Sequence, residues 1–175
     1  KGTVFALPGG YIENADFATY KPIKSFNDDF FKNGVKESIK HSWYKGDWNK
    51  HPWDETTDPN HTGMQYDGKY SWVKAPTFNG KPAQVGPVAN VLCMYAAGHA
   101  GTKKYTTDML NTISAVAKTK VGPAALHSTI GRIGARAIRC AVMLDECTNQ
   151  WTALVNNIGK GDVKTFNAPK FPSGE

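Results

Sequence analysis

The chain contains 175 residues, 40% of them hydrophobic and 11% aromatic, which excludes intrinsic disorder and suits one folded domain. No stretch reaches the roughly 18 uninterrupted apolar residues of a membrane-spanning helix. The net charge of +6 comes from lysines scattered along the chain, so no nucleic-acid partner is expected.

The first half of the chain, residues 1–84, is predicted to form short strands and long loops. It is rich in aromatic residues, proline, glycine, asparagine and aspartate, and it shows little periodicity. The loop at 45–68 is expected to be packed by its own aromatic rings, and loops of that length usually carry a function or an interface. The predicted elements, in chain order, are a turn at 7–10, a helical turn at 26–32, a strand at 35–44, that loop, and a strand at 69–75.

The second half, residues 85–160, is predicted to be helical. A first helix begins near Pro87 and ends at Gly98, and it should be buried because it is apolar on all sides. The fold class is therefore α+β, with short strands and long loops followed by buried helices. The remaining predicted elements are a helix at about 103–118, a break at Gly122 and Pro123, a long helix from 124 or 128 to 147 that continues or restarts to 158, and a loop at 161–175.

The composition of the long third helix predicts how it packs. Gly131 and Gly134 each cost about 1 kcal/mol relative to alanine inside a helix, and such a cost is usually offset by close approach of another backbone. The apolar stripe expected to face the core consists of Ile130, Ile133, Ala137, Ile138, Ala141 and Leu144.

Three arginines share another face of this helix. Arg132, Arg136 and Arg139 follow one another at helical spacing, so their guanidinium groups line up. They are expected either to pair with carboxylates across a domain or subunit interface or to bind an anion. Glu146 continues the row one heptad further, so we also expect partial pairing within the helix.

The cysteines and histidines predict no metal site by their spacing. The three cysteines are Cys93, Cys140 and Cys147; they form no Cys-x-x-Cys motif, and their odd number argues against a closed disulfide framework. Cys140 and Cys147 could share a helix face, but burial of all three thiols as small apolar groups is the favoured interpretation. The histidines of the first half match no common zinc spacing and are interpreted as polar loop residues.

An ordered series of short motifs nevertheless resembles one family. In this order and spacing they are similar to the middle of the large subunit of nickel–iron (NiFe) hydrogenases, and most similar to the membrane-associated uptake type. The resemblance covers essentially the whole chain, and both chain ends suggest a central segment of a longer subunit. The motifs are LPGGYIEN at 7–14, KHSWY at 40–44, HPW at 51–53, TDP at 57–59, KYSWVKAP at 69–76, GKPAQVGP at 80–87, HSTIGR at 127–132, AR at 135–136 and NIGKGD at 157–162.

The resemblance implies reversible oxidation of H2 to protons and electrons at a nickel–iron centre with CO and cyanide ligands. Four thiolates from two Cys-x-x-Cys motifs hold that centre in the family, and neither motif occurs here. The segment is therefore expected to supply scaffold rather than metal ligands, and to be inactive alone. A small subunit with iron–sulfur clusters would be its partner, on the periplasmic side of a bacterial cytoplasmic membrane that is reached only through partner subunits.

The family also buries a magnesium ion near the centre, surrounded by polar side chains linked through water. The resemblance matches Glu37 and Lys74 to such supporting side chains or to a proton route. An ordinary ion pair is the alternative for these two residues. Gln84 stands where many relatives have glutamate, which weakens any proton relay at that position. The alternative for the whole chain is a separate structural or binding polypeptide without redox activity.

Overall fold

The described part of the first half contains short antiparallel strands, one short helix and a long loop. In the computed structural model, residues 10–13, 16–25, 28–52, 54, 57–164 and 166 are described. Two strands form a hairpin, and three others form a sheet in which the third strand lies between the fourth and the fifth. The elements are β1 (Gly10–Glu13), β2 (Asp16–Pro22), α1 (Asp29–Gly34), β3 (Val35–Ser38), β4 (Asn49–Lys50) and β5 (Ala75–Phe78).

Some predicted elements of this half are shifted or shortened. The strand expected at 35–44 ends at Ser38, and the strand expected at 69–75 is wrong because β5 begins only at Ala75. The backbone before β5 forms hydrogen bonds with residues 41–43 instead of a strand. The backbone N–H of Tyr70 donates to the carbonyl of His41, and the backbone N–H of Trp43 donates to that of Ser71. The helical turn expected at 26–32 is the helix α1, with residues 26 and 27 outside the described residues. The turn expected at 7–10 lies almost wholly outside them.

The described part of the second half is helical, as the sequence predicts, with three α-helices and a short 3-10 helix after the predicted break. They are α2 (Pro87–Ala96), α3 (Ala100–Ala117), a 3-10 helix (Pro123–His127) and α4 (Thr129–Gly159). Pro87 occupies the first turn of α2, and the break at Gly122 and Pro123 is confirmed. α4 is one continuous helix, so it does not restart near residue 147. None of the helices in the described ranges combines the length and hydropathy needed to cross a membrane.

The core lies where α2 meets α4, the 3-10 helix and the hairpin. α2 contributes the buried side chains of Val88, Val91 and Leu92 to this core, which confirms that the helix is buried, as its apolar composition predicts. Residues of the other helices complete the cluster: Leu126, Ala135, Ile138 and Val142.

The face of α4 that enters this core differs from the predicted one. The buried residues are Gly131, Ala135, Ile138 and Val142, so Ile138 alone of the predicted stripe is buried. The bulky residues Ile130, Ile133 and Leu144 are exposed. Small residues let α4 approach its neighbours closely, and the larger apolar side chains therefore lie on the other side of the helix.

Gly131 shows that close approach directly. A Cβ added there would lie 2.4 to 2.6 Å from the Cα, carbonyl carbon and carbonyl oxygen of Leu126. At Gly134 an added Cβ would lie 3.1 Å from the Sδ atom of Met109, which belongs to a flexible side chain. The close backbone approach predicted from the two glycines is thus confirmed at Gly131, whereas Gly134 meets a side chain.

Substitution of these two glycines should therefore have different effects. Gly131→Ala should destabilise the fold by about 1 to 3 kcal/mol through overpacking, although helix propensity alone would favour alanine. Gly134→Ala should be near neutral, because Met109 can move by a few tenths of an ångström. Urea unfolding of both variants measures the difference, and equal stability of the two would contradict the packing described here.

Candidate functional site

A long stretch of chain between β3 and β5, residues 39–74, is held together by side chains as well as by scattered backbone hydrogen bonds. We call it the aromatic loop. The ammonium group of Lys69 donates to three carbonyl oxygens, those of Ile39 at 3.1 Å, Ser42 at 2.8 Å and Gly46 at 3.1 Å. An ammonium has three protons to donate, so Lys69 satisfies one acceptor with each. This single side chain therefore fixes the start of the loop against its end.

Three further side chains tie residues 42–44 to later parts of the loop. The Ser42 hydroxyl donates to the carbonyl of Val73 at 2.6 Å. The Trp43 indole donates to that of Gly63 at 2.8 Å, and the Tyr44 hydroxyl donates to that of Trp72 at 2.9 Å. The two chain segments are thereby held side by side, although little of their backbone forms a regular sheet.

Aromatic rings of the loop pack against one another, although His61 and Trp72 remain partly exposed to solvent. The ring centroid of Trp43 lies 4.6 Å from that of His61 and 5.2 Å from that of Trp72, both in edge-to-face contact. His61 stacks on Trp72 at 5.8 Å. Such arrangements are the preferred geometries of aromatic pairs. Of these three rings only His61 belongs to the loop predicted at 45–68, so that loop is packed largely by Trp43 and Trp72 from the residues on either side of it.

The end of the loop places Lys74 in contact with Glu37. The Lys74 Nζ lies 2.8 Å from the Glu37 Oε2 and 2.8 Å from the Thr57 hydroxyl, and it faces the rings of Tyr44 and Trp48 at 5.5 and 5.2 Å. Only 18% of the Lys74 side chain and 22% of the Glu37 side chain are exposed. The two residues that the resemblance selects are therefore in direct contact, as a half-buried ion pair inside an aromatic cage.

The backbone explains why these two residues meet. Glu37 lies on the central strand β3, opposite Pro76 of β5, and Lys74 comes just before β5 begins. The pairing of β3 with β5 therefore sets the Cα positions, and the cage of Tyr44 and Trp48 directs the ammonium group. Removing either charge from a pair this poorly hydrated leaves the other uncompensated, which is more costly than losing a surface pair.

Among the described residues, the arginine row of α4 has no carboxylate partner. Arg132 and Arg136 are exposed and Arg139 is half-buried. Arg136 donates to the backbone carbonyl of Arg132 at 3.1 Å. Within the described ranges none of the three forms an ion pair with a carboxylate, so the expected pairing with Glu146 is wrong there.

The cysteines do not come together. Cys93 is buried and its thiol donates to the carbonyl of Gly10 at 3.3 Å, and burial raises the pKa of this thiol. Cys140 and Cys147 are exposed, which corrects the expectation that all three are buried; their spacing of seven residues places them on one face of α4. Across the described part of the chain, no three His, Cys, Asp or Glu side chains are grouped closely enough to hold a metal ion.

Sequence reasoning missed two residues of this site. Lys69 lies in the strand predicted at 69–75, and Thr57 lies in a stretch without periodicity. The available signal was that Thr57 begins the motif TDP and Lys69 begins the motif KYSWVKAP.

Lys69 should be much more important for stability than another lysine of the same loop. Lys69→Met leaves three carbonyls without their charged donor and should cost about 2 to 4 kcal/mol. Lys45→Met removes only an exposed ion pair with Asp58 and should cost less than about 1 kcal/mol. Urea unfolding compares the two variants, and equal losses would show that Lys69 does not organise the loop.

Known proteins are similar to this chain over its whole length. The family described as nickel-dependent hydrogenase matches residues 1–175. The chain is 46% identical over 173 residues to the hydrogenase-2 large chain of Escherichia coli (strain K12), which covers 99% of this chain and 30% of that protein.

Two more distant relatives have related names. The chain is 34% identical over 186 residues to the uptake hydrogenase large subunit of Afipia carboxidovorans, covering 94% of this chain and 30% of that protein. It is 31% identical over 167 residues to the quinone-reactive Ni/Fe-hydrogenase large chain of Wolinella succinogenes, covering 85% and 27%. The chain thus spans about 30% of the length of the relatives it matches, and by the match along its whole length it belongs to the nickel-dependent hydrogenase family.

Proposed function

We propose that this chain is part of the catalytic large subunit of a nickel–iron hydrogenase, which reversibly oxidises H2 to protons and electrons. The observation that carries the proposal is the family match over residues 1–175, together with 46% identity to a hydrogenase large chain. H2-dependent dye reduction by the full-length subunit with its partner, combined with nickel and iron analysis, tests it. Absence of both metals and activity from a folded complex would contradict it.

The contribution of this segment is structural support rather than metal ligation. A nickel–iron centre with CO and cyanide ligands needs several thiolates converging on one point. One of the three cysteines here is buried with a raised pKa, and the other two lie seven residues apart on a helix surface. This geometry does not fit that centre, so its ligands come from other parts of the full subunit.

The Glu37–Lys74 pair fits a supporting position beside a buried magnesium ion. Because the Lys74 ammonium already compensates the Glu37 carboxylate, the pair is a poorer direct ligand than a free carboxylate would be. It can still orient hydrogen bonds to water around a cation. Groups that orient such a shell commonly influence a metal site almost as strongly as the ligands themselves.

The partners and location follow from the same assignment. The full large subunit would combine with a small subunit whose iron–sulfur clusters remove the electrons. Relatives named as uptake and quinone-reactive hydrogenases support an enzyme on the periplasmic side of the cytoplasmic membrane of a bacterium. Its link to the membrane would run through partner subunits.

Glu37→Gln tests the role of the ion pair in the assembled enzyme. The amide retains the shape of the side chain but neither the charge nor the proton-accepting oxygen, so H2 oxidation should fall by about 10- to 100-fold with nickel and iron content unchanged. Initial rates of H2-dependent dye reduction, normalised to metal content, measure the effect.

A second glutamate provides a matched control. Glu13 is paired with Lys81 at 3.6 Å, but the Glu13 side chain is 45% exposed and that of Lys81 74%, so Glu13→Gln should leave the rate within about twofold of the parent. If Glu37→Gln is as active as Glu13→Gln, the pair is an ordinary ion pair and the supporting role is refuted.

A further inference from the structure

We infer that Thr57 is a positioning residue for Lys74, and that its hydroxyl fixes the direction of the ammonium group against Glu37. The inference rests on the proposed function, because it takes the Glu37–Lys74 pair to support the reaction of the full subunit. The resemblance selects only the two charged residues, whereas the geometry adds a third side chain that carries no charge. The rate of H2 oxidation should therefore depend on Thr57, and only through Lys74.

Two hydrogen bonds determine the orientation of the Lys74 ammonium. Its Nζ lies 2.8 Å from the Glu37 Oε2 and 2.8 Å from the Thr57 Oγ1. An ammonium bound to one acceptor can still pivot about that hydrogen bond, and a second acceptor prevents the pivoting. Because the three N–H bonds are arranged tetrahedrally, two fixed hydrogen bonds also set the direction of the third N–H. A defined direction is what a supporting group needs in order to orient water around a cation.

The rings around the ammonium cannot take over this role of Thr57. The rings of Tyr44 and Trp48 lie with their centroids 5.5 and 5.2 Å from the Lys74 Nζ. A ring face attracts a cation as a whole, so it limits where the ammonium lies but not where its N–H bonds point. Only 18% of the Lys74 side chain is exposed, whereas Thr57 is exposed to solvent. The hydroxyl thus provides the directed contact that water provides beside an exposed lysine.

The position of Thr57 is itself fixed by the residues that follow it. Residues 58–60 run antiparallel to residues 43–45, and the two segments form a bridge at Tyr44. They are joined by two hydrogen bonds from a backbone N–H to a carbonyl, of 2.9 and 2.8 Å. This pairing connects Thr57 to the segment that carries Tyr44, so the hydroxyl and one ring of the cage are placed together.

Substitution of Thr57 in the complete enzyme tests the inference through activity. Thr57→Val keeps the size of the side chain but removes the hydroxyl, so the initial rate of H2-dependent dye reduction, normalised to metal content, should fall by about 10-fold. Thr57→Ser keeps the hydroxyl and should stay within about twofold of the parent. Thr62→Val is the matched control, since Thr62 is an exposed residue of the same loop. If Thr57→Val is as active as Thr62→Val, the inference is overturned.

A double-mutant cycle shows whether Thr57 acts through Lys74. Lys74→Met removes the ammonium and lowers the rate by itself. A hydroxyl that acts only on this ammonium has nothing left to position, so adding Thr57→Val to Lys74→Met should change the rate by less than about twofold. A further loss of about 10-fold would show two independent effects, which multiply, and would overturn the inference.

The location of the Lys74 Nζ provides a measurement that needs neither activity nor the Lys74→Met variant. In a crystal structure of the assembled Thr57→Val enzyme, we expect this atom to lie more than ~1 Å from its parent position, or to occupy two positions, because a second rotamer becomes accessible. In Thr57→Ser it should keep its 2.8 Å distance to the Glu37 Oε2. A single, unmoved Nζ in Thr57→Val would overturn the inference.

The two measurements separate this inference from the proposed function. An active parent enzyme whose Thr57→Val variant keeps both its rate and the position of Lys74 contradicts only the positioning role. A folded, assembled parent without metals or H2 oxidation contradicts only the proposed function, if its Lys74 still moves in Thr57→Val.

Discussion

The three hydrogen bonds of the Lys69 ammonium are the interaction on which the path of the aromatic loop depends most. Only scattered backbone hydrogen bonds support that path, and this one cation joins the first eight residues of the loop to the stretch that leads into β5. The rings of Trp43, His61 and Trp72 pack against one another beside it. Lys74, five residues after Lys69, is thereby placed over Glu37.

The helix ends of the second half could be predicted from local residue types in the sequence. Pro87, Gly98 and the Gly122–Pro123 break mark helix ends, and the structure places the ends there. Which face of α4 enters the core could not be read in the same way. Both of its faces carry apolar or small residues at helical spacing, and the decision depends on Gly131 fitting against the backbone of Leu126, a contact between residues of two different elements.

The candidate site was selected by resemblance, and its geometry was not predictable from the residues alone. Glu37 and Lys74 are 37 positions apart, and their contact depends on a loop whose hydrogen bonds connect side chains to backbone. The strand expected at 69–75 illustrates the difficulty. Alternating residues such as Tyr70 and Trp72 mimic a strand, but the surrounding backbone bonds to residues 41–43 within the loop instead.

The central claim is that this segment positions an ion pair in a hydrogenase subunit while holding none of the metal ligands. The most direct test is the nickel and iron content of the full-length subunit carrying Cys93→Ala, Cys140→Ala and Cys147→Ala together. Alanine keeps these positions apolar, so the variant should fold and retain both metals at the level of the parent. Loss of nickel from a folded, assembled variant would show that a thiolate of this segment binds the metal, and would contradict the account.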